Sequence, residues 1–303
     1  MNNRCIVTGG SGYIGSHVME AIKVSGYDVI SIDVAAESLN TDICNAESVI
    51  NTFCELKPDF VFHLAAISNA RIALENPVKA VEVNILGTAN VLEASRQANV
   101  KRVVLASTCW VANAMASGIL DENTPFLAEG GGHIYTTTKI TSEYLAHDYQ
   151  KLYGLPFTIL RYGIPYGPRM WAGLVLRNFL DRAFSNQPLI IYGDGSSSRR
   201  FVFIEDLAKA HTLCLQDVAS NQTYNLEGMR FVTLKELAEL VSKLLGGVEI
   251  LYQEEPSRVG ELQYSRKIIS NSKAYIDLGW EPQVDIEEGV RRTIEWYKKD
   301  ILP

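Results

Sequence analysis

Thr8-Gly9-Gly10-Ser11-Gly12-Tyr13-Ile14-Gly15 is the stretch on which the reading of this 303-residue chain turns. It follows an apolar run over 4–8 and opens a segment of helical periodicity near 12–24. Glycines at such a junction allow a tight turn and a close approach of backbone to a pyrophosphate. The N–H groups and positive potential of the helix N-terminus then hold the anion. Gly9, Gly12 and Gly15 follow a GxxGxxG spacing, not GxGxxG. Three glycines also suit an ordinary turn, so context decides. Asp33 closes the second apolar run eighteen residues after Gly15 (33 − 15), near the ~20 of a ribose-binding acid. A carboxylate there accepts from an adenosine 2′-hydroxyl and repels a 2′-phosphate. The expected cofactor is therefore NAD and not NADP.

Working outward, apolar β-branched runs at 4–8, 28–33, 60–64, 102–107 and 157–162 read as strands. Helical stretches near 12–24, 46–57, 77–99 and 135–153 separate them, and Asn76-Pro77 is a helix start signal. Unbroken apolar strands suit a sheet covered on both faces. The alternation reads as an α/β fold, a doubly wound parallel (Rossmann) sheet. After Tyr162 the texture turns proline- and glycine-rich, then helical again near 172–185, 204–216, 233–245 and 286–299. The expected division is an NAD-binding domain over 1–165 and a smaller substrate-binding domain over 166–303, with some segments returning to the first.

Composition narrows the partners. Twenty-eight Lys+Arg against 35 Asp+Glu give a net charge of −7, which argues against nucleic acid or an anionic membrane. The 47% hydrophobic content supports a sizeable core, and no run approaches the ~18–20 apolar residues of a membrane span. Met1-Asn2-Asn3-Arg4 leads straight into the first strand without a leader's long apolar stretch. The five cysteines are odd in number and form no CxxC, so neither a disulfide framework nor a metal site is expected, and a reducing cytoplasm is.

Tyr135 and Lys139 stand at i and i+4 on one helix face. A free Tyr has a pKa of ~10, too high for a base at neutral pH. A nearby ammonium and a positive nicotinamide ring favour the phenolate. Such a Tyr could take a proton from an alcohol while hydride leaves the adjoining carbon. A surface helix also produces YxxxK by chance, and only the upstream glycine fingerprint lifts this one above that.

With these motifs in order, the chain resembles the extended short-chain dehydrogenase/reductases, in the NAD-dependent sugar epimerase/dehydratase family that includes UDP-galactose 4-epimerase. The likeness runs through 8–15, Asp42-Ile43, His63-Leu64-Ala65-Ala66, Asn84 with Gly87-Thr88-Ala89-Asn90, Ser107-Thr108, Tyr135 with Lys139, and Arg161-Tyr162. It continues through 199–206 and Arg258-Val259-Gly260-Glu261. The resemblance implies that Tyr13 and Ile14 join the glycines at the cofactor and that Asp42 and Ile43 flank the adenine. It puts Leu64, Ala65 and Ala66 along the cofactor groove, with Asn84 and Tyr162 also against the cofactor. Lys139 would bond the nicotinamide ribose and Thr108 the reacting hydroxyl. Arg199 and Arg258 resemble the arginines that grip a nucleotide-sugar diphosphate, a task for forked donors. His63 reads as a satisfied core histidine.

Departures from the family pattern shape the expected reaction. Dehydratases of the family carry Asp-Glu after the catalytic Thr, and decarboxylases a Glu; here Cys109-Trp110 follow Thr108. The family's Arg-Tyr-Phe-Asn reads Arg161-Tyr162-Gly163-Ile164, and Gly130-Gly131-Gly132-His133 precedes Tyr135. If Ser107 were the catalytic hydroxyl, Cys109 would stand where certain epimerase-reductases use a cysteine beside a ketone; Val111 favours the Thr108 frame. The expected activity is a nucleotide-sugar 4-epimerase working through a transient 4-keto sugar. The alternatives are a C4 oxidoreductase, a C3/C5 epimerase-reductase using Cys109, and a non-catalytic NAD sensor. The family also implies a homodimer through the helices near 77–99 and 135–153, with Ile85, Leu92 and Leu145 offering apolar surface that a monomer's own core could equally use.

Overall fold

The computed structural model describes residues 3–35, 39–112, 118–126, 131–254 and 267–302. Its strands run β1 (Arg4–Thr8), β2 (Asp28–Asp33), β3 (Leu39–Asn40), β4 (Phe60–His63), β5 (Arg102–Thr108), β6 (Ile119–Leu120) and β7 (Phe157–Tyr162). They continue as β8 (Ile164–Tyr166), β9 (Leu189–Tyr192), β10 (Ser198–Phe203), β11 (Gln222–Leu226), β12 (Phe231–Thr233), β13 (Ile250–Gln253) and β14 (Ile268–Ile269). Seven of them form one sheet in the order β11-β7-β5-β4-β1-β2-β3, parallel throughout. From β1 the chain winds outward to β2 and β3, then returns to place β4 on the other side of β1. That reversal is a topological switch point, and a crevice opens there at the C-terminal strand ends. The fold is the doubly wound α/β sheet expected from the alternation of apolar runs.

The chain divides into two compact units. The first comprises Met1–Tyr162, Ala208–Leu226 and Lys267–Glu281; the second comprises Gly163–Leu207, Glu227–Arg266 and Pro282–Pro303. Within the first, helices α1 (Tyr13–Val24), α2 (Ala46–Leu56), α3 (Ala70–Glu75), α4 (Pro77–Val81), α5 (Gly87–Gln97) and α6 (Ile134–Tyr153) cover the sheet. Their apolar stripes meet strand residues in a core of Ile6, Ile32, Phe53, Val61, Val91 and Val103. All seven residues of β5 are buried, as a central strand covered on both faces must be. Within the second unit, β8 pairs parallel and β12 antiparallel with β10, and β13 lies parallel to β9. Among the described residues no helix is long and apolar enough to cross a membrane.

Two features differ from the sequence reading. The helix expected over 77–99 is interrupted by a π-turn over Glu82–Leu86, between α4 and α5. There the Asn84 carbonyl oxygen accepts from Thr88 Oγ1 at 2.6 Å and Ser142 Oγ at 3.0 Å. Side-chain hydroxyls competing for a helical carbonyl loosen the regular ladder at that point. Leu92, expected at a dimer surface, is 1% exposed inside the core, and Leu145 packs on the same cluster. Val78, Val81 and Leu86 are exposed on α4 and the π-turn, and Ile134, Tyr144, Leu152 and Tyr153 on α6.

The glycine loop is fixed by close approach. Gly9 has φ +74°, and a Cβ there would lie 2.7 Å from the Ala65 nitrogen. A Cβ on Gly15 would run into the Gly9 carbonyl oxygen and the Gly10 Cα. Gly15→Ala is expected to lower stability by about 1–3 kcal/mol in urea denaturation, the cost of overpacking. It should also abolish NAD binding in calorimetry, because the loop must move away from the helix end to make room.

Candidate active site

The loop, the acid and the switch point meet in the first unit. Gly9 N–H donates to Ile32 O at 2.9 Å, and Leu64 N–H to Thr8 O at 3.1 Å, so the ends of β1, β2 and β4 hold the loop from both sides. Asp33 Oδ2 accepts from Ser11 N–H at 3.1 Å, which brings its carboxylate to the loop. Gly12 is the N-cap of α1 and has no side chain to occupy the N–H groups of the first turn. A glycine cradle that a Cβ would fill, a helix N-terminus and an acid at the end of β2 fit a dinucleotide pyrophosphate and its ribose.

Around this floor the other expected cofactor residues sort into two groups. Tyr13, Ile14, Leu64, Ala65 and Ala66 lie partly exposed on the strand ends and the first turn of α1, while Asp42 is exposed. Ile43 is buried, and its side chain fills the space that a Cβ on Gly87 would need. Tyr162 is buried, with its hydroxyl bonded to His211 Nε2 at 2.7 Å inside the unit. Asn84, expected against the cofactor, braces the protein. It is 1% exposed, its Oδ1 accepts from Ile67 N–H at 2.8 Å, and its Nδ2 donates to Ile67 O and Thr138 Oγ1. A carboxamide so engaged has little left for a ligand.

His63 is likewise internal. Its Nε2 meets Thr88 Oγ1 at 3.0 Å, and Thr88 gives its own proton to Asn84 O, so His63 is the donor there. Its Nδ1 then accepts from Thr8 Oγ1 at 2.7 Å. Burial, followed by the nearby Lys139 charge, pushes its pKa down to about 3, so it stays neutral.

The end of β5 and the first turns of α6 supply the reactive groups. Tyr135 N–H donates to His133 Nδ1 at 3.1 Å, which caps the helix and sets where Tyr135 begins it. The Tyr135 phenol is buried beside Thr108; burial raises its pKa and the Thr108 hydroxyl pulls it back. Thr108 Oγ1 accepts from Trp110 N–H at 3.2 Å, which leaves its own proton to donate. Lys139 Nζ donates to Ala106 O at 2.9 Å and lies 6.0 Å from the Tyr135 ring centroid. Burial pushes its pKa down to about 8 while Glu143 holds it up. The Trp110 ring stands edge-on to Tyr135, centroids 6.2 Å apart. This set can pass a proton between a substrate hydroxyl and a phenol whose charge an ammonium balances.

Ser107 and Cys109, the rival frame, are engaged elsewhere. Ser107 Oγ donates to Glu143 Oε1 at 2.5 Å, and the Cys109 thiol donates to Arg161 O at 3.2 Å in a cluster with Leu120 and Ile269. Glu143 extends the same helix face, since Tyr135, Lys139 and Glu143 form one ladder at successive i+4 steps. Its carboxylate takes Arg161 Nε at 3.0 Å and Nη2 at 2.7 Å. Arg199 lies on β10 of the second unit, where Nη1 donates to Ser197 Oγ at 2.6 Å. Arg258 lies outside the described residues. Among the described residues no cluster of His, Cys, Asp and Glu could hold a metal.

The fold and this corner are of a dehydrogenase-type dinucleotide enzyme: a glycine cradle, an acid at the end of β2, and a Thr-Tyr-Lys set beside the switch point. The family model for the NAD dependent epimerase/dehydratase family matches residues 5–226, and the chain belongs to that family. The chain is 32% identical over 312 residues to a putative UDP-glucose 4-epimerase of Methanocaldococcus jannaschii, covering 97% of this chain and 98% of that one. A dTDP-glucose 4,6-dehydratase of Neisseria gonorrhoeae is 29% identical, over 96% of this chain and 94% of its own. The solved UDP-glucose 4-epimerase of Thermus thermophilus, in complex with NAD, superposes with a TM-score of 0.84 at 31% identity, covering 98% of this chain and 99% of that one. The family is thus one of NAD-dependent enzymes of nucleotide sugars, with epimerases and dehydratases side by side.

Asp33 generates a test of cofactor choice. Calorimetry on the apo protein is expected to show NAD bound at least about tenfold more tightly than NADP, since a lost ribose bond and a repelled phosphate together exceed one decade. Asp33→Ala should narrow that gap, because it removes both the ribose acceptor and the repulsion of a 2′-phosphate.

Proposed function

We propose that the chain is an NAD-dependent nucleotide-sugar 4-epimerase, acting as a cytoplasmic homodimer. The observation that carries this reading is the end of β5. Thr108 stands by the Tyr135 phenol, and the next two positions, where the family's dehydratases carry Asp-Glu, hold an inward Cys109 and an edge-on Trp110. Neither can protonate a departing hydroxyl, so elimination of water has no acid at that point. A set that moves one proton back and forth serves an epimerisation, which has no net redox change.

NAD, when bound, supplies a reversible hydride acceptor. Tyr135 takes the C4 hydroxyl proton, Thr108 orients that hydroxyl, and Lys139 balances the phenolate. The 4-keto sugar would turn over in the site, and Tyr135 would return the proton to the C4 oxygen. Arg199 and Arg258 are assigned to the diphosphate, where forked guanidinium donors match two oxygens at once. The homodimer is assigned to the face that leaves Val78, Val81 and Leu86 exposed, since apolar side chains on neighbouring turns favour burial against a copy.

Tyr135→Phe deletes one oxygen and keeps the ring's packing. Turnover is expected to fall by about 10²–10⁴-fold, with NAD affinity and folding nearly unchanged. Cys109→Ser should be nearly silent. Interconversion of candidate nucleotide sugars in deuterium oxide should leave no deuterium on carbon, because the same hydride returns; carbon-bound deuterium would mean epimerisation beside the ketone and would overturn the reading. Light scattering at micromolar concentration should give twice the chain mass, and Leu86→Asp should halve it.

A further inference from the structure

Behind Lys139 lies a charged group that the proton transfer does not touch. Glu143 is one helical turn beyond Lys139 on α6, is buried, and accepts from Ser107 Oγ and from two nitrogens of Arg161. Ser107 is the neighbour on β5 of Ala106, whose carbonyl oxygen holds Lys139 Nζ. Two successive strand residues therefore fix two successive charges of the helix, one by its carbonyl and the other by its hydroxyl. We propose that Glu143 is a positioning residue for the Tyr135–Lys139 pair, its carboxylate clamped by Ser107 and Arg161 so that the Lys139 ammonium keeps both its place and its charge.

The electrostatic surroundings make this requirement concrete. Burial alone disfavours the ammonium, and Glu143 is the charge that opposes it. On α6 the other titratable group facing Lys139 is Tyr135, a neutral phenol in the absence of a base. From β4 comes His63, held neutral. From β7 come Arg161, which is cationic, and Tyr162, whose pKa burial raises well above the ordinary value. Beyond the end of β5, the Cys109 thiol is bonded to Arg161 O. Asn84 and Thr88, from the π-turn and α5, carry no charge. Glu143 is thus the one anion among these groups, and Arg161 the one cation besides Lys139. Their effects on Lys139 must have opposite signs.

That opposition separates a positioning role from a merely structural ion pair. In protein labelled with ¹³C at lysine Cε, with the Lys139 signal assigned through Lys139→Arg, the wild-type midpoint is expected near pH 8. Glu143→Gln should lower it by at least about one unit, roughly tenfold in the acid constant, since burial then acts unopposed. Arg161→Gln should raise it, because the carboxylate then faces Lys139 alone. Glu143→Asp keeps the charge and should fall between wild type and Glu143→Gln. Should Glu143→Gln fail to fold, the opposed shifts of Arg161→Gln and Glu143→Asp decide the matter. The proposal fails if the midpoint stays within about 0.3 units in these variants, well short of what a neighbouring charge supplies, or if both substitutions move it the same way. The reading of Tyr135 as the base enters only the second arm: the alkaline limb of kcat/KM should follow each midpoint. The midpoints are measured without any sugar, so a protein inactive on nucleotide sugars sinks the 4-epimerase reading and leaves this one to stand or fall by the titration.

Discussion

One buried carboxamide, that of Asn84, holds the proposed catalytic corner together. Its side chain ties the backbone of Ile67, after β4, to Thr138 on α6, and Thr138 in turn donates to the Tyr135 carbonyl. Its own carbonyl gathers Thr88 and Ser142. Through Thr88 the chain of bonds continues to His63 and Thr8, and Ala65 N–H closes it on Thr8 Oγ1. The floor of the glycine loop and the helix bearing Tyr135 and Lys139 are therefore parts of one hydrogen-bonded assembly. Its side chains are removed from water, so a missing member would leave partners with nothing to bond to. Regular helix is given up at Glu82–Leu86 to make the assembly possible, as it often is at functional sites.

The chemistry of the corner comes from dryness. A tyrosine and a lysine at i and i+4 on a wet surface would titrate near their ordinary values and never exchange roles. Here burial pushes the phenol up and the ammonium down, so the two pKa values move apart, and hydrogen bonds and charge decide how far each can be drawn back. Thr108 works on the tyrosine and Glu143 on the lysine. The cost is a buried carboxylate and a buried guanidinium, which their mutual bidentate geometry offsets only while both are present.

How much of this the sequence reveals depends on how local the cause is. The glycine loop, the apolar strands and the Tyr135–Lys139 ladder are local patterns, and the sheet follows from their alternation. The π-turn escapes because a Pro-initiated helical period over 77–99 looks continuous; what breaks it is a carbonyl claimed by hydroxyls from α5 and α6, one of them 58 residues distant. Leu92, open to either a dimer surface or the core, goes to the core for the same reason. Helical spacing puts an apolar residue on a face, but only the packing partners say whether that face meets the sheet or the solvent. β11, Gln-Thr-Tyr-Asn-Leu, is half polar and follows a change of texture, so it does not look like an edge of the first sheet. Ser107 and Thr108 are neighbours with the same chemistry. Strand geometry alone sends one hydroxyl to Glu143 and the other to Tyr135.

The place of β11 has a consequence for how the chain comes into being. Its partner β7 is buried along its whole length and rich in β-branched and aromatic residues, yet β11 begins 60 residues after β7 ends (222 − 162). During synthesis the strands bearing the glycine loop, Thr108 and the Tyr135 helix emerge early. The flank of β7 stays open until that intervening chain has been made. An unpaired apolar strand is a template for the wrong partner. The interval between residues 162 and 222 is then the window in which a nascent chain is most exposed to pairing with another copy, and slowing translation there would lengthen it.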